Sequence, residues 1–349
     1  MNAVDRDAGD GLGAFYDDLV QHNLAPLWEV LHDLVPRQPG CRAGPALWNF
    51  SVIREHLMRS GDLISAAQAE RRVLILENPN MVGESAITPL LYAGMQLVLP
   101  GEVAPCHRHA QSALRFVMEG EGGTTAVNGE KVAMRPFDLV LTPSGLWHDH
   151  ANESSEPMIW LDGLDIPLLQ HLSSGYAEKL DEYSHPETRP PGDTLARYGK
   201  NLRPARRVEF DDALRDQPLF HYPFSEWRES LDVIARSEAP HPHDGIRMEF
   251  TNPVTGGSVM KTLSAFCQLV PKGMDTKAKR STDSSVFVVC SGSGSVKIGE
   301  EYFHVHEKDV FVVPAWNPLS FSADEDLVLF SFSDKAVQDR LSLWFEELF

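Results

Sequence analysis

The sequence predicts a mainly β protein: two copies of one β-barrel in a single chain, preceded by a helical segment. Three observations carry this. From Val73 onward, short runs of β-branched and aliphatic residues alternate with Gly, Pro and Asn turn signals, as in VLILENPN, SALRFVMEGEG and DLVLTPSG. That pattern gives way near residue 165 to a mixed, Pro-rich stretch containing HPETRPPGD, then returns from about Met248 in SAFCQLVPKG, SSVFVVCSGSG and LVLFSFSD. Finally, the two strand regions repeat one another. PGEVAPCHRHAQSALRFVMEGEG sets against PKGMDTKAKRSTDSSVFVVCSGSG, and FDLVLTPSGLWHDH against KDVFVVPAWNPLSF. The repeat is much longer than solenoid periods, so it marks duplicated domains.

Taken in order, residues 14–36 carry apolar side chains at helical spacing (Phe15, Leu19, Leu24, Leu27, Val30, Leu31, Leu34), which predicts one or two helices interrupted near Pro26. The loop PRQPGCRAGPALW follows. Residues 50–71 look helical again, ending near Arg71 and Arg72. The expected organisation is a helical segment over 1–72, a first barrel over 73–170, a linker with some helix over 171–247, and a second barrel over 248–349. The tail QDRLSLWFEELF is expected to be a short amphipathic helix.

A chain of 349 residues suits two domains. Lys plus Arg number 31 and Asp plus Glu 50, so the net charge is 31 − 50 = −19. That argues against nucleic acid and anionic membranes as partners, since both need a basic surface. A small anionic substrate stays open, because one pocket can be locally cationic. Four scattered cysteines without a C-x-x-C pair fit a reducing cytoplasm. The start, MNAVDRDAGDGLGAF, has no apolar core of a signal peptide, and no apolar run reaches membrane-spanning length.

Chemistry concentrates in two motifs. Gly101-x5-His107-x-His109 leads to Gly120, and Pro143-x-Gly145-x2-His148-x3-Asn152 follows. They resemble the two signature motifs of the cupin superfamily, a jelly-roll barrel, so the predicted architecture is a bicupin. Two positions depart from that pattern: Ala113 stands where a glutamate is usual, and Phe137 where the first glycine of the second motif is usual. The physical logic is independent of the family. Residues i and i+2 of a strand face one side, so His107 and His109 both point inward, with Arg108 outside. His148, after a Pro-x-Gly turn, completes a three-nitrogen set suited to Fe, Zn, Cu or Ni. The alternative is surface or hydrogen-bonded histidines.

Alternation places Ala113, Arg115, Val117 and Glu119 on one face, so the glutamate's face offers a methyl and a cation. Three neutral imidazoles leave a divalent metal with its full charge, and Arg115 adds to it. Burying that charge is costly unless an anion compensates. The substrate is therefore expected to be a dianionic chelate, with a further metal position for O2. His150 shares His148's face and is a candidate acid/base or hydrogen-bond donor. Gln96 is a polar residue in an apolar run, either lining the pocket or facing out. One of Arg71 and Arg72 is expected to hold a substrate carboxylate, the other to be solvated or ion-paired. Asp162 either orients an arginine, contacts the ring, or is a turn residue. Tyr92 and Trp160 line an aromatic pocket or pack in the core. Cys106 is expected to pack away from the ligands. His241, His243, His304 and His306 are expected to be solvated surface groups. In the second barrel, Lys279, Ser281 and Leu319 stand opposite His107, His109 and His148, so that barrel is expected to be metal-free.

With LTPSGLWHDH, WLDGLDIP and AERRVLILENPN, the first repeat resembles the gentisate 1,2-dioxygenase family, and the likeness runs from about Trp48 to the C-terminus. The resemblance implies one Fe(II) per chain held by His107, His109 and His148 in the N-terminal cupin, with O2 as co-substrate. It also implies ring cleavage between the carboxyl-bearing and adjacent hydroxyl-bearing carbons of gentisate, giving maleylpyruvate. Relatives act on salicylate, 5-substituted salicylates or 1-hydroxy-2-naphthoate, and members are commonly homotetramers. By position, Arg71 or Arg72, Gln96, Arg115, His150 and Asp162 would hold the substrate or support residues that do, with Tyr92 beside them. Two other classes stay open: a non-catalytic cupin that binds an aromatic acid, and a Zn or Mn isomerase or lyase.

Overall fold

The computed structural model describes residues 9–180, 186–206 and 217–349. Residues 1–8, 181–185 (His185 opening the Pro-rich stretch) and 207–216 of the linker lie outside the described residues. Residues 1–40 form one compact unit and 41–349 another. In the first unit, helices Gly9–Gln21 and Leu27–Leu34 flank the predicted break, and Pro26 is the N-cap of the second. Trp28 Nε1 donates to Tyr16 Oη (3.0 Å), which donates to Glu29 (2.9 Å), joining the two helices.

The second unit holds two barrels. In chain order, β1 is Ala46–Trp48, followed by β2 (Arg72–Ile75), β3 (Tyr92–Val98), β4 (Val103–His109), β5 (Ala113–Glu119), β6 (Gly123–Val127), β7 (Glu130–Ala133), β8 (Leu139–Thr142), β9 (His148–Asn152), β10 (Met158–Leu164), β11 (Ala177–Lys179) and β12 (His221–Tyr222). The second series runs β13 (Ile246–Glu249), β14 (Ser264–Val270), β15 (Lys279–Ser281), β16 (Ser285–Ser291), β17 (Gly294–Ile298), β18 (Glu301–Val305), β19 (Val310–Val313), β20 (Leu319–Ala323), β21 (Leu327–Ser333) and β22 (Glu346–Leu348). The first barrel's sheets are ordered β12-β8-β5-β10-β3-β2 and β11-β4-β9-β6-β7. The second barrel's are β1-β19-β16-β21-β14-β13 and β22-β15-β20-β17-β18, the same orders strand for strand.

Two sequence expectations change here. The segment before Val73 is not wholly helical: besides helices Phe50–Leu63 and Ala66–Ala69, it supplies β1, which pairs with β19 and completes a sheet of the second barrel. An edge strand with unpaired backbone groups outweighs local propensity there. The tail is not one helix either. A helix spans Lys335–Arg340, and β22 then pairs with β15 through Lys279↔Leu348 and Ser281↔Glu346.

The barrels pack through the outward faces of their six-stranded sheets. Phe116, one residue from inward Arg115, stacks on Phe330 of the second barrel with ring centroids 4.0 Å apart. Gly163 sits at this contact, where a Cβ would lie 2.7 Å from the Phe332 ring. Matching loop residues anchor each barrel. Asp138 accepts from the backbone N–H of Phe224, the first residue of helix Phe224–Ser237, and Asp309 accepts from that of Phe50. Phe137, at the position where glycine is usual, has φ +64°. That left-handed backbone costs on the order of 1–2 kcal/mol. Its ring, packed against Phe224 at 5.3 Å and Phe116 at 6.0 Å, offsets the cost with contacts that glycine lacks.

Candidate active site

β4 and β9 are paired neighbours with a bulge between Ala104 and His107, and His107 lies opposite His148. Alternation turns His107, His109, His148 and His150 to the barrel interior, and all four are buried. The ring centroids of His107 and His148 are 4.1 Å apart, those of His109 and His148 4.8 Å. Each of the three rings bonds a main-chain carbonyl through Nδ1: His107 to Pro105 (3.0 Å), His109 to Gln111 (2.9 Å) and His148 to Leu146 (2.9 Å). A carbonyl only accepts, so each Nδ1 carries the proton and each Nε2 keeps a lone pair. The Nε2 atoms of His107 and His148 are buried without a partner. Such groups are costly unless something binds them.

A metal ion fits that requirement. The three histidines' ligand atoms lie within 4.8 Å of one another, near the span needed for one ion bonded to each at about 2.0–2.1 Å. The rings are neutral, as ligands must be. Burial, then Arg71, pulls His107 down to about 3, and burial, then Arg115, pulls His109 down to about 4. Burial and then Arg115 hold His148 and His150 well below the usual histidine range. Asn152, which closes the second motif, spends its side chain on the carbonyls of Val98 and Glu156. Ala113 is fully buried and brings no carboxylate.

The floor of the chamber is the six-stranded sheet, where Gly94, Asp162 and Arg115 lie side by side on β3, β10 and β5. Arg115 is buried. Its Nε lies 3.4 Å from Asp162 Oδ1, and its Nη1 donates to Thr142 Oγ1. Arg115 is therefore not the uncompensated cation that alternation along β5 suggests, because Asp162 balances it. Burial pushes Asp162 up to about 6, against Arg115 and Arg71. Trp160 Nε1 donates to Asp162 (3.1 Å), and its ring lies 5.5 Å from that of His150. Gln96 is buried on the same face, opposite Trp160. Burial and then Asp162 push the Tyr92 hydroxyl above its usual range.

The two arginines separate. Arg72 is buried away from the histidines: Nε donates to the Ile64 carbonyl (2.7 Å), and the two terminal nitrogens meet Glu102. Its guanidinium is fully committed, so Arg72 is not available to a substrate. Arg71, one residue earlier and so on the opposite side of the chain, acts electrostatically on His107, Asp162 and Tyr92. Arg108 points outward to Glu178 (2.6 Å), and Cys106 is buried, as alternation predicts. His241, His304 and His306 are exposed, but His243 is not. It is buried because its loop tucks beside β15, with Nδ1 bonded to the Ala278 carbonyl at 3.0 Å.

Sequence reasoning missed Thr142 and Thr125. Thr125 Oγ1 donates to the Met134 sulfur (3.3 Å) and lies 2.9 Å from His150 Nδ1. His150 Nε2, on the other side of the ring, is buried and unpartnered. A threonine at an inward position of a barrel strand was the available signal.

A β-barrel of this topology with three inward imidazoles defines a cupin of the metal-binding kind, and the cupin domain family matches residues 94–164. Similarity extends beyond that domain. Gentisate 1,2 dioxygenase 1 of Aquipseudomonas alcaligenes is 48% identical over 332 residues, covering 95% of each chain. The 5-aminosalicylate 1,2-dioxygenase of a Comamonas species is 37% identical, covering 100% of this chain and 93% of that one. Among solved structures, a variant of the salicylate 1,2-dioxygenase of Pseudoaminobacter salicylatoxidans in complex with gentisate superposes with a TM-score of 0.92 at 33% identity, covering 100% and 97% of the two chains. The chain belongs to the gentisate 1,2-dioxygenase family of ring-cleaving dioxygenases.

Proposed function

We propose that the chain cleaves gentisate to maleylpyruvate, inserting both atoms of O2 between the carboxyl-bearing and adjacent hydroxyl-bearing ring carbons. His107, His109 and His148 would hold one Fe(II) through Nε2. When bound, the ion supplies open positions for a chelating substrate and O2, and the electron transfer that joins them. The observation that carries the reading is the charge of the chamber. The ligands are neutral, Ala113 adds no acid, and the one buried carboxylate on the floor, Asp162, is matched by Arg115. A salicylate-type dianion supplies the missing negative charge.

The surrounding residues then have distinct work. Arg115, aimed by Asp162 and Thr142, holds the substrate carboxylate together with Arg71. Tyr92, Gln96 and Trp160 border the ring. His150, whose buried Nε2 has no partner in the protein, takes the phenolic proton. The protein works as a cytoplasmic homotetramer.

Oxygen uptake by Fe(II)-loaded protein tests this across gentisate, salicylate, 5-aminosalicylate, 5-nitrosalicylate, 5-chlorosalicylate and 1-hydroxy-2-naphthoate. Gentisate is expected to turn over fastest. Turnover of none of them would sink the reaction class. A salicylate lacking the 5-hydroxyl turning over faster than gentisate would keep the class and replace the substrate.

A further inference from the structure

The second barrel lacks the histidines but is not solid. A cavity of about 300 Å³ opens at its mouth, at the place the metal chamber takes in the first barrel, lined by Lys279 and Ser281 where His107 and His109 stand. That volume is at the lower end of small-molecule sites. The charged groups around it are incompletely matched. Lys279 Nζ lies 2.6 Å from Asp244 Oδ1 and 3.0 Å from Glu346 Oε1. Arg247 stacks over the Phe266 ring at 4.1 Å, its nearest carboxylate oxygen is 3.8 Å away on Asp244, and its Nε is buried with no hydrogen-bond partner. With Arg280, Lys335, Glu249 and Asp283 also in the lining, four cations face four carboxylates, and a guanidinium N–H remains unsatisfied.

The two carboxylates on Lys279 differ in how they are held. Asp244 sits in the tight turn just before β13, its carbonyl accepting from Gln268 Nε2 at 2.8 Å, and although burial pushes its carboxyl up, Lys279 and Arg247 keep it below the usual carboxylate range. Glu346 comes from β22, a three-residue strand at the sheet edge joined only to β15. Phe345 and Leu348 beside it are about half exposed, with Phe345 packed on Trp316 at 4.7 Å. Replacing the Glu346 carboxylate by that of a ligand keeps the charge count at zero and offers Arg247 Nε an acceptor. Phe266, Phe287 and Trp344 in the cavity lining supply flat apolar walls.

We infer that the mouth of the second barrel is a binding site for a small aromatic monocarboxylate, which Lys279 and Arg247 hold in place of the chain's own Glu346. The first barrel receives its anion from outside; the second carries a stand-in that a ligand displaces. This site does not depend on the chemistry of the first barrel.

Benzoate is the probe, because it lacks the neighbouring hydroxyl needed to chelate a metal. Calorimetric titration of the iron-loaded protein compares wild type with Glu346→Gln. The variant is expected to bind benzoate about tenfold tighter or better, since the internal competitor loses its charge. Adding Lys279→Met to Glu346→Gln should abolish the gain, and adding Arg115→Met should leave it. Arg247→Gln, at a partly exposed position, makes the same comparison if the buried lysine substitution fails to fold. Equal binding by wild type and Glu346→Gln overturns the proposal. So does a gain that survives both Lys279→Met and Arg247→Gln but disappears with Arg115→Met, which would place the benzoate in the first barrel.

Discussion

The two barrels share strand order, register and loop anchors, yet their interiors are opposites. Gly94, Asp162 and Arg115 lie abreast on the floor of the first; Phe266, Ser331 and Phe287 lie abreast at the same register positions in the second. Where the first barrel opens space with a glycine and lays a charge pair beside it, the second fills with aromatic rings. Phe287 stacks on Phe311 at 4.9 Å, a contact that Arg115 could not make. The backbone supplies a frame with two ends, and a handful of inward side chains decides whether the frame holds a metal chamber or a smaller, aromatic-lined cavity. A jelly roll alone therefore says little about function.

The sharpest way to break this contrast is to exchange donors. His109→Ala should abolish iron retention and turnover, whereas Lys279→Ala should keep both; iron analysis and oxygen uptake measure this, and iron loss in both variants would mean the second barrel takes part in metal binding. Next comes the floor. Arg115→Met is expected to lower kcat/KM by about 100- to 1,000-fold with iron retained. Its counterpart Phe287→Leu should cost thermal stability and leave kcat/KM near wild type.

Two substitutions test how charge is shared. Ala113→Glu, which restores the usual cupin acid, should raise KM roughly tenfold by competing with the substrate anion; an unchanged KM would remove the charge argument. Arg71→Ala should raise KM by a similar factor, while Arg72→Ala, which strands Glu102, should lower the melting temperature and spare KM.

The smallest effect is on pH. Metal-free and folded, His107 and His109 titrate at about 3 and about 4, against an ordinary 6.5 in the unfolded chain. Between about pH 4 and 6.5 the unfolded state binds more protons, so stability falls as pH drops through that window. The slope is at most about 1.4 kcal/mol per pH unit for each histidine. Asp162, raised to about 6, contributes with the opposite sign between about pH 4 and 6. Thermal melts of a His107→Gln/His109→Gln variant should show a flatter acid limb; an unchanged limb would locate the titration elsewhere.

The fold was legible because its signals are local or repeated: period-two strands, turn residues, and a duplication aligning Lys279 with His107. The three histidines were legible because alternation along a strand fixes their direction. What escaped depends on contacts between distant segments. Nothing in ALW says that Ala46 pairs with Val312, and nothing in AERR says which of its two arginines is bound to Glu102. The Asp162–Arg115 pair needs β5 and β10 to lie adjacent, which fold topology supplies and residue type does not. Thr125 and Thr142 were small polar residues among apolar ones, with no spacing rule to single them out.

The strand Ala46–Trp48 has a consequence for how the chain is made. It is synthesised before the first barrel, yet its pairing partner β19 emerges more than two hundred residues later. A nascent chain can close most of the first barrel while this strand waits, and the second barrel's sheet cannot be completed until Val310–Val313 has been made. Such long-range closure slows folding and leaves an edge uncovered in the interim. Severing the chain in the linker would not yield two independent halves, since the N-terminal piece would keep a strand that belongs to the other.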